Sequence, residues 1–206
     1  DKEMVVSLKR KGRVAVMAKW ISLFTAVLLT SILTSCMEAN PPEAASPKEY
    51  AEKYLVEAVL ETVRAEDHED FHFSASENIQ IGKLHQKWRY SKAFLENKND
   101  SLEKTDDWYA AVYQEGRPVN VVAISKNESG YYSFMGIGFG KDLAESLDKR
   151  TATEGKLIYE FPMDAWFVYD KGQVIAVNDA GQRLLGLEKI RFDEFQQSVY
   201  DRYADK

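Results

Sequence analysis

The stretch WYAAVYQEGRPVNVVAISKNESGYYSFMGIG, residues 108–138, decides how this chain folds. Trp108–Gln114, Val119–Ser125 and Tyr131–Gly138 are rich in aromatic and β-branched residues, which crowd the preceding turn of a helix but pack well on a pleated surface. Two turn signals, Glu115-Gly116-Arg117-Pro118 and Asn127–Gly130, separate them. Connections this short join antiparallel neighbours, so the pattern predicts a three-stranded meander.

Outward from the meander, Asp142–Lys149 predicts a short helix with Leu143, Ala144 and Leu147 on one face. Strand character returns at Lys156–Phe161, Trp166–Asp170 and Gln173–Asn178, with Asp170-Lys171-Gly172 as a tight turn. The segment WFVYDKGQVIAV (166–177) weakly echoes 108–122 in its aromatic start, Val-Tyr pair, glycine turn and valine-rich return. Asp179–Leu185 and Phe192–Ala204 read as closing helices. Upstream, Phe71–Ala75 and Ile79–Leu84 look like short strands, Trp88–Glu96 fits either period, and the polar run 97–107 reads as a loop. Ser46-Pro47-Lys48-Glu49 is a helix start: Ser46 caps, Pro47 occupies the first helical position, and Glu49 completes a capping box. Tyr50, Tyr54, Leu55, Ala58, Val59 and Val63 follow at three- and four-residue steps, which predicts an amphipathic helix to about Arg64. The expected fold is α+β: a mainly antiparallel sheet with this N-terminal helix and the C-terminal helices packed on one face.

Composition agrees with a foldable chain of one domain: 206 residues, 45% hydrophobic and 12% aromatic. The formal charge of −6 hides two unlike parts. Residues 1–35 hold six basic and two acidic side chains, which leaves 21 basic against 31 acidic for 36–206, a net charge of −10. A domain so acidic is no general nucleic-acid binder, because neutralising phosphates needs a basic face.

The N-terminal part carries an address. Ile21–Leu33, ISLFTAVLLTSIL, is thirteen uncharged residues behind Lys19 and the Lys9–Arg13 basic cluster. A span needs about 20 apolar residues, so this run fits the core of an export signal rather than a permanent anchor. Leu33-Thr34-Ser35-Cys36 follows at once and resembles the lipobox of bacterial lipoproteins. That resemblance implies that the Cys36 thiol receives a diacylglycerol and that cleavage before it leaves a lipidated N-terminus. It implies nothing about the folded domain. Cys36 is the only cysteine, which excludes a disulfide within one chain. Translation is expected to start at Met17, with Met4 as the other candidate. The expected organisation is a cleaved signal over 1–35, a lipidated tether over 36–46 with the Pro-rich MEANPPEAAS, and one extracytoplasmic domain over 47–206.

His68-Glu69-Asp70-Phe71-His72 matches H-E-x-x-H, in which two histidines one helical turn apart ligate zinc and the glutamate acts as base on the bound water. A third ligand could be Glu96, which with Asp100 four residues later distantly resembles the glutamate helix of one zinc-peptidase group. Against this, Glu66, Asp67 and Asp70 crowd the motif, and Phe71, Phe73 and Ala75 alternate as in a strand, where residues four apart lie about 13 Å from one another. Gly136-Ile137-Gly138-Phe139-Gly140-Lys141 lacks the spacing and the Ser or Thr of a phosphate loop and reads as a glycine-permitted bulge or turn. The aromatic cluster of Tyr109, Tyr113, Tyr131, Tyr132, Phe134, Trp166, Phe167 and Tyr169 reads mainly as core.

The expected role is that of a membrane-anchored accessory or immunity-type lipoprotein that binds a peptide, an envelope component or a membrane-protein partner. Its only non-protein group is the covalent lipid at Cys36, and no catalytic or metal-ligating residue is assigned. The competing expectation is a zinc-dependent hydrolase built on His68, Glu69 and His72. The address is tested directly: Cys36→Ser expressed in a bacterial host should take up no radiolabelled lipid, whereas the native chain is labelled. Equal labelling of both would refute lipidation at Cys36.

Overall fold

The computed structural model describes residues 42–65, 71–74, 78–98, 101–149 and 155–204. The expected signal over 1–35, Cys36 and the His68-Glu69-Asp70 part of the histidine motif therefore lie outside the described residues. In order come α1 (Pro47–Lys53), α2 (Leu55–Ala65), β1 (Ile79–Ile81), β2 (His85–Tyr90), α3 (Lys92–Leu95), β3 (Leu102–Gln114), β4 (Arg117–Lys126) and β5 (Tyr132–Ile137). Then follow α4 (Lys141–Lys149), β6 (Lys156–Glu160), a 3₁₀ turn (Phe161–Met163), β7 (Ala165–Asp170), β8 (Gln173–Ala176), α5 (Asp179–Leu185), β9 (Lys189–Arg191) and α6 (Phe192–Tyr203). The fold is α+β, and the nine strands form one sheet in the order β5-β4-β3-β2-β6-β7-β8-β9, with β1 paired to β3 beyond the end of β2.

All strand pairs are antiparallel except β2 with β6, which meet in parallel through Lys87↔Leu157 and Trp88↔Ile158. Two antiparallel meanders are thereby joined edge to edge. The hairpins β3–β4 and β7–β8 turn on Glu115-Gly116 and Lys171-Gly172, whose φ values of 52°, 76°, 49° and 81° are all positive. Such turns carry the twist that the flanking strands need. The echo between 108–122 and 166–177 is thus two hairpins of one turn type, one in each half of the sheet.

Both faces of the sheet are covered, where the sequence suggested one. Alternate strand residues separate the layers. Tyr109, Ala111, Val121, Ala123, Leu157, Trp166 and Val168 pack with Leu143, Ala144 and Leu147 of α4 on one face. On the opposite face, Ala110, Val112, Val122 and Ile124 meet Tyr50, Leu55 and Val59 of α1 and α2. Further along that face, Ile158, Ala165, Phe167, Val174 and Ala176 meet Phe94 of α3 and Phe192, Phe195 and Val199 of α6.

Local differences from the sequence reading have physical causes. The helix expected to about Arg64 is two, broken in its dihedrals at Tyr54 (φ −129°, ψ −22°), although Tyr54 N–H still bonds Tyr50 O and Ala58 N–H bonds Tyr54 O. Ser46 caps α1 through Glu49 N–H, while the Glu49 carboxylate reaches Ala45 N–H at 3.3 Å instead of closing the box on Ser46. Contact with the domain starts ahead of Pro47: Ala44 and Tyr132 exchange main-chain hydrogen bonds at 3.0 and 2.8 Å, and Asn127 donates to Glu43. Phe71–Ser74 is not a strand; the Asn120 amide holds Phe71 O, and the Gln114 amide brackets Ser74 N–H and C=O. Side chains replace the ladder there. The expected loop over 97–107 contains the start of β3, because Leu102 turns inward against Tyr90 while Glu103 and Asp106 face water. The glycines of 136–140 allow the register shift between β4 and β5, and Phe139 turns edge-on to Tyr109 and Trp166.

Phe195 is completely buried against Phe94, Phe167 and Phe192. Phe195→Ala should lower the unfolding free energy by about 3–5 kcal/mol, read from urea denaturation, because truncating a buried aromatic leaves a cavity that the rigid layer cannot close.

Candidate functional site

Among the described residues, a groove of about 640 Å³ lies between α1–α2 and the β1–β2 segment. Its edge is six consecutive residues, Ile79 to Leu84, so it runs along an extended chain rather than across one. Pro47, Ala51, Val56 and Trp108 make the wall and floor, with Lys48, Glu52 and Lys83 at the rim. The local sequence explains the shape. α1 and α2 turn Tyr50, Leu55 and Val59 down onto the sheet, which leaves the flank carrying Ala51, Glu52 and Val56 beside β1. Ala51 is small enough to keep the space open. Gly82 sits where a Cβ would lie 2.8 Å from the Tyr113 ring and 3.2 Å from Ala111 O, so the chain there runs close against β3.

Two buried polar atoms near this segment have no hydrogen-bond partner: the Trp108 indole Nε1 on the groove side and His85 Nε2 on the opposite face. His85 is 9% exposed, and burial, with a smaller push from the Lys83 charge, lowers its pKa to about 4. The imidazole is therefore neutral near pH 7.

The second cluster is centred on Glu160, the last residue of β6, which is 2% exposed. Arg202 of α6 donates to both its oxygens at 3.0 and 2.8 Å, Tyr90 donates at 2.9 Å and Tyr203 at 2.7 Å. Burial foremost, then the Glu160 charge, pushes the Tyr90 hydroxyl far up; burial and the hydrogen bond to Glu160 push Tyr203 to about 12. A hollow of about 350 Å³ lies beside it, lined by Tyr90, Leu95, Tyr159, Phe161, Pro162 and Tyr203. Four donors engage the carboxylate, so its chemistry is spent on docking α6 to the sheet.

A third hollow of about 620 Å³ has mixed charge. Lys87 pairs with Asp107 at 2.5 Å, Ser125 donates to the same carboxylate at 2.6 Å, and Arg89 pairs with Glu103 at 3.0 Å. Burial would raise the Asp107 pKa, but the hydrogen bonds from Lys87 and Ser125 outweigh it and hold the carboxyl below its ordinary range. A carboxylate so stabilised is a poor base for Ser125, and the trio is an ion-pair network rather than an activated nucleophile.

His72 lies in a turn with φ 63° and is exposed. The zinc geometry needs right-handed helix through both histidines, and His72 has left-handed backbone instead. Glu96 is exposed at the end of α3, ion-paired to Lys98 at 2.6 Å; Asp100 lies outside the described residues. Among the described residues no three His, Cys, Asp or Glu side chains gather as a metal site. Of the aromatic cluster, Tyr109, Trp166 and Phe167 are core, while Tyr131 is 47% exposed. Sequence reading missed both the groove and the Glu160–Arg202 pair. Glu160 ends an apolar strand, KLIYE, and an acid in that place was the available signal. The groove had none, because its residues come from two helices, two strands and the loop between β1 and β2. No helix among the described residues is long and apolar enough to cross a membrane. The chain matches no family model, no curated protein and no solved structure.

The burial of His85 sets a pH dependence. Its folded pKa is depressed, so between pH 6.5 and about 4 the unfolded chain binds a proton that the folded chain refuses. Stability should therefore fall as pH drops through that window, by about 2 kcal/mol once partial solvent access is allowed for. His85→Leu should remove this part of the slope in urea titrations at several pH values; an unchanged slope would place the histidine in water.

Proposed function

We propose that this chain is a lipoprotein held on the outer face of a bacterial cell membrane by a lipid on Cys36, and that its domain works by binding rather than by catalysis. The ligand class is a peptide, an envelope component or a membrane-protein partner, which suits an accessory or immunity-type role. The observation that carries the binding reading is the groove along Ile79–Leu84, concave, walled mainly by apolar side chains and rimmed by charge. Such a site favours apolar surface of a partner and orients it by a few polar groups. The tether supports the membrane part. Ala44 is held against Tyr132, and the eight residues from Cys36 to Ala44 span at most about 29 Å. A lipid on Cys36 would keep the start of α1, and hence the groove that Pro47 and Lys48 line, close to the headgroups.

The zinc-hydrolase alternative on His68, Glu69 and His72 has no comparable support, since His72 stands in a turn. One experiment addresses both readings. The purified chain should enhance the fluorescence of the apolar dye 1-anilinonaphthalene-8-sulfonate, and Ala51→Glu, which fills the groove with a charge, should abolish the enhancement without unfolding the chain. Metal analysis of the same preparation decides the alternative: stoichiometric zinc that His72→Ala removes would overturn the binding reading in favour of the hydrolase.

A further inference from the structure

We propose that the β6–β7 turn, Phe161-Pro162-Met163, is the point at which the domain rests on a phospholipid surface, with Phe161 among the acyl chains and Lys104 and Lys126 on headgroup phosphates. This deepens the anchoring reading and rests on it for what brings the domain to a membrane. Phe161 is 79% exposed, and Met163 is exposed beside it. The turn that presents them is held in shape. Asp164, left-handed at φ 48°, donates its N–H to Phe161 O at 3.2 Å. Its carboxylate accepts from the Tyr159 hydroxyl at 3.1 Å, and the Asn178 amide donates to its C=O at 2.8 Å. An aromatic ring already fixed on a tip gives up little conformational freedom when an apolar phase covers it.

Other apolar side chains share that end of the strands. β2 and β6 run parallel and the other neighbours antiparallel, so the β4–β5 and β6–β7 turns and the loop before β9 lie at one end of the sheet. The β3–β4 and β7–β8 hairpins lie at the other, and their tips are Glu115-Gly116 and Lys171-Gly172. Of the six exposed large apolar side chains among the described residues, Tyr131, Phe161, Met163 and Leu187 belong to the first end. Ala44 pairs with Tyr132, the first residue of β5, so the chain from Cys36 joins the domain at this end too, within the roughly 29 Å that eight residues can span.

Charge selects the occupant. Tyr159 and Phe161 line the hollow of about 620 Å³ that also takes in Lys87, Arg89, Lys104 and Lys126, against Asp106 and Asp107. Lys87 and Arg89 are paired to Asp107 and Glu103, whereas Lys104 and Lys126, both exposed, form no ion pair with a described residue. The net charge of −10 over 36–206 repels anionic surfaces from the domain as a whole, which leaves these two cations to decide where contact is made. An apolar ring beside exposed ammonium groups matches a layer whose phosphates lie just above its hydrocarbon. A second copy is the poorer fit, because a two-fold contact through the tip would bring the same lysines towards each other.

The test replaces Met163 by cysteine, labels it with a nitrobenzoxadiazole dye and reads the full chain on vesicles of phosphatidylcholine, alone or mixed with phosphatidylglycerol. Met135→Cys, exposed within β5, is the reference. With phosphatidylglycerol present, the dye at 163 should shift to the blue and be quenched several-fold by nitroxide-labelled acyl chains, while the dye at 135 keeps its aqueous emission. Phe161→Asp, which touches no core residue, should abolish the shift, and near-ultraviolet circular dichroism verifies its fold. Lys104→Glu combined with Lys126→Glu should remove the difference between the two vesicles. A dye at 163 that stays in water on both vesicles would overturn the proposal, as would a shift that survives Phe161→Asp or is equal on both. A shift that appears without vesicles and grows with protein concentration would assign the tip to a second copy and overturn it as well. Failure of the anchoring reading shows separately, as uptake of the thiol dye by Cys36 in the chain without an added cysteine. Cys36→Ser then removes that site, and the contrast between 163 and 135 still decides the tip, whatever holds the chain at the vesicle.

Discussion

The structure depends on one short parallel pairing, β2 against β6, two residues long in each strand. Parallel neighbours cannot be joined by a tight turn, so the chain must leave β5 at one edge, cross over the sheet and re-enter in its middle. α4 makes that crossing and, in doing so, covers the face formed by Tyr109, Ala111, Val121 and Ala123. The same pairing joins two meanders that would otherwise each expose a long edge. Among the described residues that pairing ends before β1, which pairs with β3.

Polar side chains do the fastening where main-chain ladders stop. Gln114 and Asn120, both buried, hold the segment after α2 through its backbone, and Glu160 ties α6 to β6 through Arg202 and two tyrosines. A buried carboxylate with four donors is satisfied, and taking away its arginine would leave an uncompensated charge. These fasteners differ from the groove in kind. They are closed and saturated, whereas the groove is open and walled mainly by apolar side chains. An open, mainly apolar concavity is what distinguishes a binding site from a joint.

The proposed anchoring and the proposed groove reinforce each other physically. Docking of Ala44 on Tyr132 shortens the free tether, which would limit how far the domain strays from a lipid on Cys36. A short leash raises the effective concentration of any partner in the same membrane plane. The net charge of −10 over 36–206 would at the same time disfavour flat adsorption onto anionic headgroups.

Much of the local structure was legible in the amino-acid order. The hairpins at Glu115-Gly116 and Lys171-Gly172, the Leu143-Ala144-Leu147 face of α4, the Ser46 cap and the closing helices follow from periodicity and turn chemistry, which act over a few neighbours. Where Leu102 begins β3 was not legible, because its flanking polar residues are the wet side of a strand whose other side is set by Tyr90, twelve positions away. The turn at His72 likewise depends on Asn120 and Gln114, far along the chain. Parallel pairing of β2 with β6, coverage of both sheet faces, the Glu160–Arg202 pair and the groove arose only in the tertiary structure. Each brings together residues that no local rule connects, and the energy that selects them, burial and hydrogen bonding between distant segments, exists only once the layers have met.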